Sequence, residues 1–484
     1  MSAHDGATLY INGNWAGAEG GATFEVSDPS SGQVIGLAAD ATATETQRAV
    51  DAAASAFPAW SAESAYTRAD ALLRAHVLML ERAEDLARLM SLEQGKPLRA
   101  ARNEVAYAAD FLIWFAEEAK RVYGSTIPSP RGKQRFTVLR QPVGVVAGIT
   151  PWNYPISMIT RKVAPAVAAG CTIVLKPAEQ TPLCAAAVFE ILDAAGIPPG
   201  VVNLVTTARP AEVGDILLDS PAVRKLTFTG STDVGKMLAS RAAATMKHVS
   251  MELGGHAPFI VFDDADPAHA AKGAALVKYL NTGQACICPN RIYVQRAAVE
   301  RFSKVFTERV GRLKAGPGLD ETSTVGPLID SDAMDKMRSQ VADARAKGAS
   351  VLAGGEELTG EGYGSGLFFA PTVLADVTPD MTIYREETFG PIAAIIPFDD
   401  EDEVIAMAND TVYGLASYVY TTDLGRAVRV SEALKFGIVG INDINPTAAA
   451  APFGGTGESG LGREGGAQGI EEYLDVKLIG HLLP

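Results

Sequence analysis

Apolar positions recur at three- and four-residue spacing over residues 44–60, 65–93 and 98–122, with Asp, Glu, Arg and Lys between them. That period predicts three packing helices with solvated outer faces. Before them, residues 9–25 read as a small β excursion around a turn at Asn12-Gly13, and Asp28-Pro29-Ser30-Ser31-Gly32 is a second turn. The rhythm changes at Val143. VGVVAGI (143–149), TIVLK (172–176), VVNLV (201–205), KLTFT (225–229) and APFIVF (257–262) read as buried strands, most of them separated by segments rich in Ala and Leu. Such alternation predicts a parallel sheet covered on both faces, with ligands at the carboxyl ends of its strands. A second alternating set begins after Arg291, with turns at Gly354-Gly355 and Gly390-Pro391, and predicts a second α/β unit. Two segments stand apart. Residues 124–142 carry Pro128, Pro130 and an alternating run, Arg135-Phe136-Thr137-Val138-Leu139, which fits a protruding hairpin or a surface loop. Residues 471–483 are strand-like and suited to pairing outside their own domain.

A chain of 484 residues exceeds one ordinary core, so two or three domains are expected. Its 57 acidic residues outweigh 42 basic ones, a formal charge of −15. That surface disfavours nucleic acid and anionic membranes as partners. It leaves room for an anionic small molecule gripped by arginines inside a cleft. The four cysteines, Cys171, Cys184, Cys286 and Cys288, form no disulfide framework and suit a reducing cytoplasm. The opening MSAHDGATLY has no secretory pattern, and the apolar runs are too short to cross a bilayer. A soluble cytoplasmic protein is expected, and no metal site.

The candidate chemistry is spread over several stations, each open to two readings by itself. Cys286, in GQACICPNR, lies in a short loop between an alanine-rich helix pattern and a β-rich run at 292–295. A nucleophilic cysteine must be a thiolate, which loop N–H dipoles favour; a lone loop cysteine is more often a quiet residue. Glu252, in MELGGHAP, is a cap or a base held in a cleft. Asn153, in TPWNYP, either shapes a proline-fixed turn or offers its amide to an oxyanion. Lys176 and Glu179, in LKPAE, fit a ribose grip or a solvated ion pair. Gly230, Ser231 and Gly235, in FTGSTDVG, open a helix after a strand, where N–H groups hold a pyrophosphate, although a plain tight turn looks the same. Glu387 and Phe389 occupy another turn, EETFGP.

Their joint order resembles the NAD(P)-dependent aldehyde dehydrogenase superfamily. TPWNYP, LKPAEQTP, FTGSTDVG, MELGG, GQACICPNR, EETFGP and PFGG…SGLGREGG appear in that family's sequence, and Glu252 stands 34 residues before Cys286, as in the family. The resemblance runs from Ile11 to Leu474. It implies a Rossmann-like parallel-sheet cofactor domain (1–123 and 143–253), a second α/β catalytic domain (254–446), and a small β oligomerisation element with the substrate loop (124–142 and 447–484). It implies that Cys286 attacks an aldehyde carbon, that the Asn153 amide and the Cys286 N–H hold the oxyanion, and that Glu252 activates water against the thioester. Members that pass the acyl group to coenzyme A typically lack this glutamate, so hydrolysis is expected. Matching positions assign Lys176 and Glu179 to the adenine ribose, and Gly230, Ser231 and Gly235 to the pyrophosphate. Trp152 and Leu253 join them in the cofactor site, with Glu387 and Phe389 at the nicotinamide end. A carboxylate at 179 accepts from free ribose hydroxyls and repels a 2′-phosphate, so NAD is expected, with NADP the alternative. A homodimer or homotetramer is also implied.

Within that family, ITRK (159–162), Cys286-Ile287-Cys288 and SGLGREG (459–465) look most like the succinate-semialdehyde dehydrogenase branch. There the arginine matching Arg161 grips the substrate's distal carboxylate, as a bidentate guanidinium can; the bland reading pairs Arg161 with a neighbouring acid on its helix surface. Thr447 stands where that branch has a substrate-loop serine, Leu280 where it has a second arginine, and His256 where Lys or Asn is commoner. With one cationic anchor, the alternatives are another ω-oxo acid, or a sulfonated, aromatic or short aliphatic aldehyde. A cysteine esterase is the rival from a different class. Cys288 reads as a passive small residue, or as a partner for Cys286 in a labile disulfide.

Overall fold

Thr42 and Glu45 open the first long helix, Ala43–Ala62, as a reciprocal capping box. The computed structural model describes residues 6–484; the first five residues, part of the opening read above for a leader, lie outside the described residues. The helix expected over 98–122 is Leu98–Ala119. The one expected over 65–93 is two, Ala65–Glu81 and Ala83–Gln94. Arg82 leaves helical geometry between them, and Glu84 and Asp85 favour a fresh N-terminus; a periodicity of apolar positions does not register such a break.

The first sheet has eight strands. Its parallel centre runs His248–Glu252, Val223–Thr229, Val145–Ile149, Thr172–Lys176, Val202–Leu204. The N-terminal hairpin Leu9–Ile11/Asn14–Ala16 closes one edge antiparallel, and Gly460–Leu461 closes the other. The strand His248–Glu252 is not among those read from the sequence, where Glu252 stood only as a cap or a base. Strand Gly460–Leu461 ties part of the 447–484 segment into the first sheet. Apolar cores lie on both faces of this sheet, as expected for a buried parallel sheet.

The second sheet has seven strands, in the order Ser350–Ala353, Thr372–Ala375, Ile392–Phe398, Pro289–Gln295, Ala257–Val261, Ala416–Tyr420, Ile438–Ile441. All its pairings are parallel except that of Ser350–Ala353 with Thr372–Ala375. Two further cores cover its faces. Residues 124–142 form the hairpin, Ser125–Pro128 against Gln134–Pro142, and Leu474–Leu482 pairs antiparallel along the whole of its second strand. The C-terminal strand therefore finds a partner within its own chain. No helix among the described residues is long and apolar enough to cross a membrane.

Candidate active site

Register puts the expected stations along one edge of the first sheet. Thr229 pairs with Glu252, Phe228 with Ile149, and Ile149 with Lys176. Glu252, the Thr229-Gly230 turn, the loop holding Asn153, and Lys176 thus leave neighbouring strands at their carboxyl ends, where parallel sheets bind ligands. The chain then turns through residues 253–256 into Ala257–Val261 of the second sheet. Gly255 in this turn packs so closely that a Cβ would sit 2.3 Å from the Cys286 carbonyl oxygen. Glycine there lets the Glu252 turn and the cysteine loop meet.

The loop before Cys286 is held in an unusual form. Asn281 and Thr282 have φ of 47° and 61°, and a β-branched residue in the left-handed region is a true outlier. Its surroundings impose it: Thr282 Oγ1 accepts from Gly326 N at 2.9 Å, and Gln284 Oε1 accepts from Ile329 N at 3.0 Å. Asn153 is buried and donates Nδ2 to the Gln284 carbonyl at 3.1 Å. Its own carbonyl accepts from Lys96 Nζ at 2.8 Å and Asn281 Nδ2 at 2.9 Å. Lys96 is paired with Glu104, whose other oxygen accepts from the Ile156 and Ser157 N–H groups. Both side chains are buried, and leaving one such charge alone costs about 3–5 kcal/mol. The oxyanion candidate is thereby clamped from below and tied to the nucleophile's loop.

Burial raises the Cys286 thiol, Glu252 and Glu387 add to the rise, and Arg161 offsets part of it. The loop dipoles expected to favour a thiolate are outweighed, so the resting group is the thiol. Glu252 is raised to about 8, first by burial and then by Glu464, against the pull of Arg161, Lys162 and Arg463. Its Oε1 has no hydrogen-bond partner. Cys288 turns away from Cys286 and donates Sγ–H to the Lys278 carbonyl at 3.1 Å. All four cysteines are free.

Arg161 is 2% exposed, not on a helix surface. Its guanidinium lies 4.0 Å from the Phe453 ring centroid and 5.2 Å from that of Phe111, contacts worth up to about 2 kcal/mol when desolvated. Nε is 3.2 Å from Glu464 Oε2, and Nη2 has no partner. The same acid takes Lys162 Nζ at 2.6 Å on its other oxygen. Sequence reasoning gave Glu464 and Lys162 no role, nor Lys96 and Glu104; the first pair is separated by 302 positions and no local signal joins it. Thr447 bonds within its own loop, donating Oγ1–H to Asn445 Oδ1 at 3.2 Å.

The dinucleotide stations fit the group the sequence implies. Lys176 Nζ donates to Glu179 Oε1 at 2.8 Å at the strand end, and Glu179 is part-exposed beside it. The helix Thr232–Ala243 begins at Ser231 with no side-chain cap, leaving first-turn N–H groups open to an anion. Gly230 lies just before this start. Gly235 has another use: its N–H goes to the Ser231 carbonyl, and a Cβ would stand 2.2 Å from Leu253 Cδ2. It lets the helix close on the Leu253 turn. Glu387 Oε1 accepts from Gly255 N at 2.8 Å, and burial raises its carboxyl to about 7. The Phe389 ring meets Trp152 edge-on at 5.7 Å. Among the described residues, no cluster of His, Cys, Asp and Glu could hold a metal ion.

The sequence model of the aldehyde dehydrogenase family matches residues 15–479. A glutarate-semialdehyde dehydrogenase of Pseudomonas putida is 52% identical over 470 residues, covering 97% of this chain and 96% of the relative. An NADP(+) succinate-semialdehyde dehydrogenase of Escherichia coli is 51% identical over 469 residues, with the same coverage of both chains. The crystal structure of an Escherichia coli NADP-dependent enzyme matches with a TM-score of 0.97 at 49% identity, covering 100% of this chain and 99% of that one.

Proposed function

This chain belongs to the aldehyde dehydrogenase family, and from that premise we propose that it oxidises an anionic semialdehyde, such as succinate semialdehyde or a homologous ω-oxo acid, to the dicarboxylic acid with reduction of NAD. The observation that carries the reading is the meeting of three elements at Cys286: Asn153 bonds its loop, Gly255 packs on its carbonyl, and Glu252 and Arg161 act on its thiol.

Cys286 Sγ attacks the aldehyde carbon. It is half-buried, so the thiol proton has a route to solvent. The oxyanion is met by the Asn153 amide, which has a second N–H beyond the one given to Gln284, and by the Cys286 N–H. Lys176, Glu179, Gly230, Ser231, Trp152, Leu253, Glu387 and Phe389 would hold the dinucleotide. The chemistry it supplies when bound is acceptance of one hydride, which takes the thiohemiacetal carbon to a thioester. Glu252 then draws a proton from water as the oxygen attacks that carbon; the C–S bond breaks and the acid leaves. A carboxyl poised at about 8 suits this task near neutral pH. The unpartnered Nη2 of Arg161 supports its role as the grip on the distal carboxylate. Glu179 favours NAD, since its carboxylate would stand against a 2′-phosphate. Residues 1–123 with 143–253 serve the dinucleotide and 254–446 the catalysis. The hairpin and C-terminal strand serve assembly into a homodimer or homotetramer.

A kcat/KM panel of ω-oxo acids, aromatic and short aliphatic aldehydes with both dinucleotides tests this, run on wild type and Arg161→Leu. The ω-oxo acids with NAD should lead, and Arg161→Leu should raise their KM at least about tenfold while leaving the KM of uncharged aldehydes near wild type, any fall in kcat through the Cys286 thiol being common to both classes. Equal effects on both classes would remove the carboxylate grip.

A further inference from the structure

The turn from Glu252 into the second sheet ends on His256, a fully buried imidazole that the proposed chemistry does not use. Its Nε2 lies 2.8 Å from the Tyr384 carbonyl oxygen. A carbonyl only accepts, so Nε2 carries the proton and Nδ1, which has no partner, is bare. A second proton is opposed by burial and by Arg291, Lys278 and Lys336. His256 is therefore a neutral donor. It is itself fixed: Arg291 gives Nη2 to the His256 carbonyl at 2.9 Å and ties that point to the Ala408 carbonyl at 3.0 Å.

What it holds cannot hold itself. Tyr384 belongs to a helix of four residues, Thr382–Arg385, too short to be stable alone. Glu387 follows directly, and Phe389 sits at φ +53°, a strained backbone that persists only where neighbours impose it. On the outer side the segment is tied by Asp343 to Thr382 N and by Arg385 to Asp410. On the inner side the adjacent residues Gly255 and His256 bond to it, Gly255 N–H to Glu387 Oε1 and His256 to the Tyr384 carbonyl, while Tyr293 meets the Tyr384 hydroxyl at 3.3 Å and Trp152 the Phe389 ring. Gly390 lies against Gly283, where a Cβ would come 2.1 Å from the Gly390 oxygen.

We propose that His256 is a positioning residue that, by donating Nε2–H to the Tyr384 carbonyl, fixes the loop carrying Glu387 and Phe389 in the register that grips the nicotinamide end of the dinucleotide. This rests on the dehydrogenase reading above. A lysine at this position would add a fourth cation to the three already facing it; histidine supplies the donor without the charge.

The test measures two things that need no turnover: the calorimetric Kd for NAD, and the rate at which iodoacetamide alkylates Cys286 without nucleotide. The variants are His256→Leu, which fills the space without a donor, and His256→Gln, whose amide nitrogen reaches the place of Nε2. Leaving the buried carbonyl unpaired should raise the NAD Kd about tenfold in His256→Leu, with a much smaller change in alkylation of Cys286. His256→Gln should restore the wild-type Kd. An unchanged Kd in His256→Leu overturns the proposal. So does a matching change in alkylation, which would mark general collapse of the site, or a glutamine variant as impaired as leucine. Wild-type protein that binds no dinucleotide would instead overturn the dehydrogenase reading.

Discussion

Glu252 is raised on folding from the ordinary carboxyl value of 4.5 to about 8. Between those values the folded chain keeps a proton that the unfolded chain has lost, so the group's contribution to stability falls as pH rises and is fully lost above about 8. Glu252→Gln carries no such titration. The melting temperature of that variant should therefore climb relative to wild type from about pH 5 to pH 8.5, the window set by this shift; a constant difference would contradict a buried, raised carboxyl. The sequence singled out Cys286, Glu252 and Asn153 because each sits in a short, ordered motif, and in the structure their segments meet. The thiol's protonation was not legible. It depends on Glu252, Glu387 and Arg161 converging from three segments, and a loop dipole read from sequence is the smaller effect. Arg161 was read as either a substrate grip or a surface ion pair. It is buried with one nitrogen near Glu464 and another without a hydrogen-bond partner, an arrangement that only closure over about 300 residues reveals.

At the scale of elements, loops rather than strands carry the precision. Gly283 has φ +77°, and a Cβ there would press on Gly390, so the cysteine loop and the Glu387–Phe389 loop touch through it. Gly283→Ala must displace one or the other by a fraction of an ångström to an ångström. Misplacement of that size costs about 100-fold in rate, so kcat should fall by about that factor while the far-ultraviolet circular dichroism stays that of wild type. Wild-type turnover would show that the two loops need no such contact. The apolar runs gave most of the strands, because a buried parallel strand is nearly continuous in hydrophobicity. They missed the break at Arg82 and the strand His248–Glu252: the first is a single-residue change in backbone angle, and the second begins half-exposed at the rim. The strand-like C-terminus was recognised, but its partner, Gln134–Pro142, was not, since strand pairing over more than 300 residues leaves no local mark.

The whole molecule closes its site where the two sheets share the 253–256 turn, and leaves an apolar outer strand exposed in its three-stranded sheet. Leu474–Leu482 is an outer strand with Val476 69% and Leu482 81% exposed. Open apolar edges are normally covered, which supports assembly through this one. Replacing Val476 and Leu478 together with Asp should shift the species seen by light scattering toward the monomer; an unchanged mass would place the interface elsewhere. The formal charge of −15 disfavours polyanionic partners. The anionic substrate rests instead on one buried arginine. The central claim, that Cys286 carries the acyl group and Glu252 releases it, meets its most direct test in a single turnover of Glu252→Gln with succinate semialdehyde and NAD, followed by mass spectrometry of the peptide containing Cys286. The expected result is one reduced dinucleotide per site and a succinyl adduct on Cys286 that persists. Reduced dinucleotide formed with Cys286 unmodified, or continued turnover at the wild-type rate, would contradict it.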